Sequence, residues 1–189
     1  GYRIAVLRPF KFILNNCNRF LACDGNITEI EIEFLNSMNL NYKFIINTYE
    51  PFKDIPFYML EWNEFKKKLY NSIDNGETVC IPSNVAEKVK ALEVDIIEKY
   101  VNTGILTKEQ VLFIYDGAND LFISDEQLSK SKVFCYSPKI ICGIDFKYEA
   151  KVFSIICNSN FGAHLTCESI LQQITRCRLP LELNMYFRH

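Results

Sequence analysis

The run Glu168-Ser169-Ile170-Leu171-Gln172-Gln173-Ile174-Thr175-Arg176-Cys177-Arg178 ends an apolar-faced helical stretch with an amide and two arginines. A guanidinium is planar, forked and permanently charged. A pair of them suits a phosphate that gains charge in a transition state. The chemistry implied is phosphoryl transfer, with Arg176 and Arg178 as charge stabilisers and Gln172 beside them. A plainer role fits the segment equally well: solvated arginines favoured by the negative end of a helix dipole.

Other segments place polar residues directly after apolar runs. In Ser137-Pro138-Lys139-Ile140-Ile141-Cys142-Gly143-Ile144-Asp145-Phe146, Ser137 can bond a nucleic-acid phosphate. Gly143 permits close backbone approach, and Asp145 can accept from a ribose hydroxyl. An ordinary loop with a glycine turn explains the same residues. Val79-Cys80-Ile81-Pro82-Ser83-Asn84 offers an anion seat at a helix start, or simply an N-cap. In Arg19-Phe20-Leu21-Ala22-Cys23-Asp24 an acid ends a strand and could sense a nucleotide across a cleft, or cap the next helix. Ile114-Tyr115-Asp116-Gly117 is a strand and turn whose loop, at Gly117, can touch a nucleic-acid strand.

The elements that must position these residues follow a regular rhythm. Apolar periodicity gives strands at 2–7, 19–23, 42–49, 78–82, 111–115, 132–136, 151–157 and 183–187. Helices are expected from Thr28, over 61–73, from Ser83-Asn84 to about Tyr100, and over 166–177. Continuous apolar strands alternating with helices imply a doubly wound, mostly parallel α/β sheet covered on both faces. In such sheets the working surface lies beyond the carboxyl ends of the strands.

Composition bounds the rest. A chain of 189 residues with 49% hydrophobic and 23% charged residues fits one α/β domain plus an appendage, or two small domains. Net charge is −2, so no global basic field announces nucleic acid. Eight cysteines and two histidines, without a C-x-x-C pair, give zinc little support. Several cysteines sit in apolar runs and read as small buried hydrophobes in an intracellular, reducing compartment without disulfides. No apolar run approaches the ~20 residues of a membrane span. No G-x-x-x-x-G-K-[ST] is present, so the phosphate-cradling loop and its lysine are missing. No Asp-Glu pair ends an apolar strand either. The run Lys66-Lys67-Lys68 reads as a solvated helix face.

Taken in order, four segments resemble the latter part of a superfamily-2 helicase. The likeness is greatest to herpesvirus-type replication-origin-binding helicases and to helicases of large DNA viruses such as African swine fever virus. Cys23-Asp24-Gly25-Asn26-Ile27-Thr28 resembles motif III, and Ile81-Pro82-Ser83-Asn84 resembles motif IV. The stretch from Tyr136-Ser137-Pro138 through Gly143-Ile144-Asp145-Phe146 resembles motif V, and Gln172 through Arg178 resembles motif VI. Thr175 stands where the family has glycine, and Gly25 where it has alanine.

The resemblance implies a RecA-like fold and a division of labour. Residues 1–40 would end a first RecA-like domain or join the two domains, and 41–189 would form the second. ATP and Mg2+ would be held mainly by the first domain, upstream in the same chain. Arg176 and Arg178 would act as arginine fingers with Gln172. Gly143, Asp145 and Asp24 would lie near the nucleotide, and Ser83, Asn84, Ser137 and Gly117 along single-stranded or duplex DNA. The whole would be a DNA helicase of viral genome replication, working in host cytoplasm or nucleus; this chain, lacking the P-loop, would be inactive alone. The alternative is an inactive helicase-like scaffold that binds DNA or a replication partner such as a primase.

Overall fold

The computed structural model describes residues 2–17, 19–21, 29–38, 42–45, 52–115, 123–137, 144–157 and 167–188, side chains at 2–7 and 167–168 excepted. The chain forms two units, Gly1–Tyr49 and Glu50–His189.

In the first unit the apolar run at 2–7, expected as a strand, begins helix α1 (Tyr2–Asn16). A short apolar run fits a buried strand and a buried helix alike, and length separates them. Here Phe10, Ile13 and Leu14 continue at helical spacing past Pro9. Helix α2 (Glu29–Asn36) starts where expected, with Glu29 and Glu31 in its first turn, where the helix dipole favours acids. Residues 19–21 and 42–45, expected in strands, carry no regular structure.

The second unit is an α/β layer structure. Its elements are β1 (Phe57–Met59), α3 (Trp62–Asp74), β2 (Val79–Pro82), α4 (Ala86–Ile96), β3 (Val111–Ile114), α5 (Asp125–Lys130), β4 (Val133–Tyr136), β5 (Phe146–Cys157), α6 (Cys167–Ile174) and β6 (Cys177–Arg188). The six strands form one sheet in the order β1-β6-β5-β2-β4-β3. Every pairing is parallel. A single parallel sheet with helices is consistent with a RecA-like α/β fold.

Alternation along the strands sends successive side chains to opposite faces. Val79, Ile81, Val133, Cys135, Phe153 and Ile155 point to one core, covered by Phe65 and Leu69 of α3 and by Val89, Leu92 and Ile96 of α4. Cys80, Phe134, Tyr136 and Val152 point to the other, covered by Leu128 of α5 and Ile174 of α6. The five cysteines described, Cys17, Cys80, Cys135, Cys157 and Cys177, are free, and the last four are buried. None of the helices described is long and apolar enough to cross a membrane.

The expected strands at 151–157 and 183–187 are the ends of two much longer ones. Their amino halves leave the plane of the sheet. Val152 is level with Cys80, and Cys80 with Phe134. Phe146 lies six residues upstream of Val152, about 20 Å away along a straight strand. Yet the Phe146 and Phe134 rings stack with centroids 5.3 Å apart. The β5–β6 ribbon must therefore curl across the sheet face, and two register shifts, between Phe146 and Glu149 and between Ala150 and Lys151, mark where it does. An irregularity of this kind bends and twists its strand. Pro180 sits in the second shift, a place where a strand tolerates the missing N–H.

The curl depends on burying Phe146, which is fully enclosed. Phe146→Ala should destabilise the protein by about 3–5 kcal/mol. Phe57→Ala, on an exposed edge residue, should cost less than about 0.5 kcal/mol. Urea midpoints at constant m-value measure both.

Candidate nucleotide and nucleic-acid site

The curled ribbon assembles the first site. Phe146 is the register partner of Cys177, so Asp145 comes beside Arg176 although 31 residues separate them. The Phe146 N–H donates to the Arg176 carbonyl at 2.7 Å, and the Arg176 N–H donates to the Gln173 carbonyl at 3.1 Å. The same Gln173 carbonyl accepts from the buried Tyr136 hydroxyl at 2.6 Å. These bonds fix the arginine backbone against β4 and β5.

The side chains then converge. Arg176 Nη1 donates to Asp145 Oδ1 at 3.0 Å. Arg178 Nη2 donates to Oδ1 and Oδ2, both at 2.9 Å. Arg176 closes the turn before β6 and Arg178 is the second residue of that strand, and both side chains reach the same carboxylate. Burial pushes the Asp145 carboxyl up, but hydrogen bonds from Arg178 and then Arg176 outweigh it and hold the pKa below the usual aspartate value. Two cations thus share one carboxylate. The half-exposed Arg178 guanidinium carries five N–H donors, more than Asp145 engages, and such a group suits a phosphate.

Three sequence expectations change here. Arg176 follows the end of α6 in a turn and Arg178 lies in β6, not in a helix reaching residue 177. The cluster sits at the amino ends of β5 and β6, not beyond their carboxyl ends, because the ribbon curls. Asp145, expected near a nucleotide as an acceptor, is occupied in holding the arginines. Sequence reasoning also passed over Gln173. Gln172 is exposed, whereas Gln173 is buried and its Nε2 has no hydrogen-bond partner among the described residues. Adjacent glutamines differ by about 100° around a helix, and the apolar Ile170 and Ile174 were the available clue to which one faces inward.

The second group follows strand ends as expected. Ser83 comes directly after β2 and Ser137 after β4. Neither Ser83 nor Asn84 is the N-cap of α4; Val85 is, and its own side chain makes no capping bond. Ser83 Oγ accepts from the Val85 N–H at 3.2 Å and donates to the Val85 carbonyl at 3.0 Å. The Asn84 carboxamide binds the backbone of Cys157 both ways, donating to its carbonyl and accepting from its N–H, each at 2.8 Å. It thereby ties the end of β2 to the end of β5. Ser83 and Ser137 are buried, so their hydroxyls do not form an open surface. Asp24, Gly117 and Gly143 lie outside the described residues.

Among the described residues no three of His, Cys, Asp and Glu come together to hold a metal ion. The charge and the donors of the arginine cluster fit a phosphate.

A depressed carboxyl pKa stabilises the fold above the ordinary aspartate value of about 3.9 and ceases to as pH falls through the lower folded value. Glu77 and Glu182 are also lowered. Glu77 is pulled down chiefly by its hydrogen bond to Lys151. In Glu182, burial acts upward but Asn184 and Lys68 prevail. The wild type should therefore lose stability in acid through several groups. Asp145→Asn isolates one of them: it should be less stable than wild type at neutral pH by on the order of 1 kcal/mol. That gap should close in urea titrations as pH falls below the ordinary aspartate value and through the lower folded one.

The comparisons with known proteins point the same way at low resolution. The chain is 25% identical over 187 residues to a protein of Acanthamoeba polyphaga mimivirus named "Uncharacterized putative helicase R8". The match covers 92% of this chain and 17% of that protein. The chain thus spans about a sixth of the length of the relative it matches. No family model matches, and no solved structure does. That likeness supports a helicase-like relationship.

Proposed function

We propose that this chain is the carboxyl-terminal motor half of an ATP-dependent DNA helicase of viral genome replication. The observation that carries the reading is the gathering of Arg176 and Arg178 onto Asp145. Two guanidiniums held on one carboxylate, Arg176 in the turn before β6 and Arg178 within it, can meet a γ-phosphate presented by a partner domain. In that role they stabilise the charge that spreads over the transferring phosphoryl group. The mimivirus likeness extends over 92% of the chain.

In this reading an upstream RecA-like domain supplies the P-loop and the magnesium-binding acids, and ATP binds between the two. Arg176 and Arg178 act as arginine fingers, Gln172 and Gly143 lie beside the nucleotide, and Asp145 positions the fingers. Asp24 senses the nucleotide from the interdomain side. Ser83, Asn84, Ser137 and Gly117 belong to the nucleic-acid side. The protein works inside the host cell, alongside DNA and other replication proteins such as a primase. By itself this chain does not turn over ATP.

One observation favours a second reading. Both guanidiniums are already engaged by Asp145, as they would be in a scaffold that keeps the fold of a motor without its chemistry. ATPase activity separates the two readings. Arg176→Ala, in the protein joined to its P-loop domain, should lower ATP turnover by ~10³-fold with an unchanged circular dichroism spectrum. Undiminished turnover removes the finger assignment, and no turnover in the wild type selects the scaffold.

A further inference from the structure

The Lys66-Lys67-Lys68 run does not behave as a uniform solvated face. Lys68 pairs with Glu182 at 2.9 Å. Lys66 instead lies over the ring of Trp62, 5.5 Å from its centroid, and Lys88 of α4 lies over the same ring at 5.1 Å. Two ammonium groups on one indole can be no more than 10.6 Å apart, the sum of 5.5 and 5.1 Å. The ring face attracts each of them, while they repel one another. Trp62 is itself held by Tyr186, with centroids 4.8 Å apart, and by Phe65 at 5.7 Å.

A third cation joins them. Arg188 ends β6, and Cys157 ends β5. Arg188 is the register partner of Cys157, and Asn84, four residues before Lys88, bonds the Cys157 backbone, which brings both cations to that strand end. Burial pushes the Cys157 thiol up, and both cations pull it down against that burial. Among the described residues none of Lys66, Lys88 and Arg188 has a carboxylate partner, whereas Lys68, Lys99, Lys130 and Lys151 each have one. The acids nearest in sequence, Glu61, Glu64 and Glu87, are exposed and do not neutralise them. The cations gather where the sheet changes direction. From β2 the chain goes on to β3 and β4 on one side, and from β5 to β6 on the other. The crevice at such a switch point is where parallel sheets bind ligands.

We propose that Lys66, Lys88 and Arg188, with Trp62 holding the two lysines in place, form a contact for successive phosphates of a single-stranded nucleic acid at the carboxyl ends of β2, β5 and β6. Cations without acidic partners, gathered at one strand end, suit the phosphates of a strand backbone. The site lies at the opposite end of β5 and β6 from Asp145, Arg176 and Arg178, so the nucleotide cluster and this contact do not compete for space. Trp62 is a positioning residue: it touches the ammonium groups and not the phosphates. The inference rests on the nucleic-acid part of the proposed function and is independent of the finger assignment.

The test is fluorescence anisotropy of a labelled mixed-sequence DNA strand titrated with the full chain over a series of salt concentrations. Lys66→Gln/Lys88→Gln should weaken binding about tenfold and flatten the slope of log affinity against log salt by roughly 1.4, about 0.7 for each phosphate left without its lysine. Lys67→Gln/Lys108→Gln removes the same charge elsewhere and should leave affinity and slope near wild type. Circular dichroism and urea midpoints confirm that both variants fold. The site is overturned if the first variant keeps the wild-type slope, if the control weakens as much, or if the wild type binds no strand. A failed site with Arg176-dependent turnover leaves the motor reading standing, and the reverse result leaves the site standing.

Discussion

The Phe146 ring stacked on Phe134 decides where the β5–β6 ribbon can go. An aromatic side chain moved from water into a closed core gains about 1.5–3 kcal/mol, and Phe146 reaches that core only if the ribbon leaves the sheet plane. Cys177, its register partner, follows it into the same core. The residues on either side, Asp145 and Arg176, are then set at the rim of the buried cluster, partly shielded and adjacent. The polar site is thus positioned by an apolar contact one residue away. The chemistry-bearing groups need no special backbone of their own, only a neighbour that must be buried.

The Asp145 cluster balances two opposing demands. Without the carboxylate, two guanidiniums near one another would repel, and their long side chains would lose orientation. With it, they are ordered at the cost of part of their attraction for a phosphate. Partial exposure keeps the balance mild: Arg178 is half exposed, and Arg176 and Asp145 are more enclosed. Ion pairs at such sites contribute little to stability, so their value here is orientation. In the proposed motor, a phosphate would meet donors that are already aimed, which is the preorganisation that electrostatic catalysis needs.

Much of the sheet was legible in the sequence. Val79–Pro82, Val111–Ile114 and Val133–Tyr136 are short apolar runs bounded by turn residues, and α3 and α4 carry their buried residues at helical spacing. Local pattern was enough there because each element's neighbours share its period. It failed for the amino halves of β5 and β6, where Lys147, Tyr148, Glu149, Arg178, Pro180 and Glu182 interrupt the apolar pattern. Those halves are strands because they pair with each other and lie on a core formed by distant residues, which no window of sequence contains. At the site, the arginine pair was visible as a motif. The partner that orders it reads, in sequence, as an acceptor for a ribose, since a contact spanning 31 residues leaves no local trace. The same applies to Asn84, whose carboxamide reads as a cap until Cys157 is seen beside it.

Beyond its bend the ribbon is regular. From Lys151 to Cys157, β5 matches β6 residue for residue, from Glu182 to Arg188. A paired stretch of that length moves as one body, so a displacement at the arginine cluster meets its first compliant point at the two register shifts between Phe146 and Lys151. Coupling between distant sites requires an element with two arrangements that both sites can bias, and a smoothly paired strand offers none. The bend can, because its backbone pairing is already interrupted while Phe146, Ala150 and Cys177 around it are fully buried. Packed cores resist gradual deformation, which favours a discrete change over a graded one. If the proposed motor reading holds, a nucleotide that draws Arg176 and Arg178 off Asp145 would act on the bend first, and only through it on the strand ends where Cys157 and Arg188 lie.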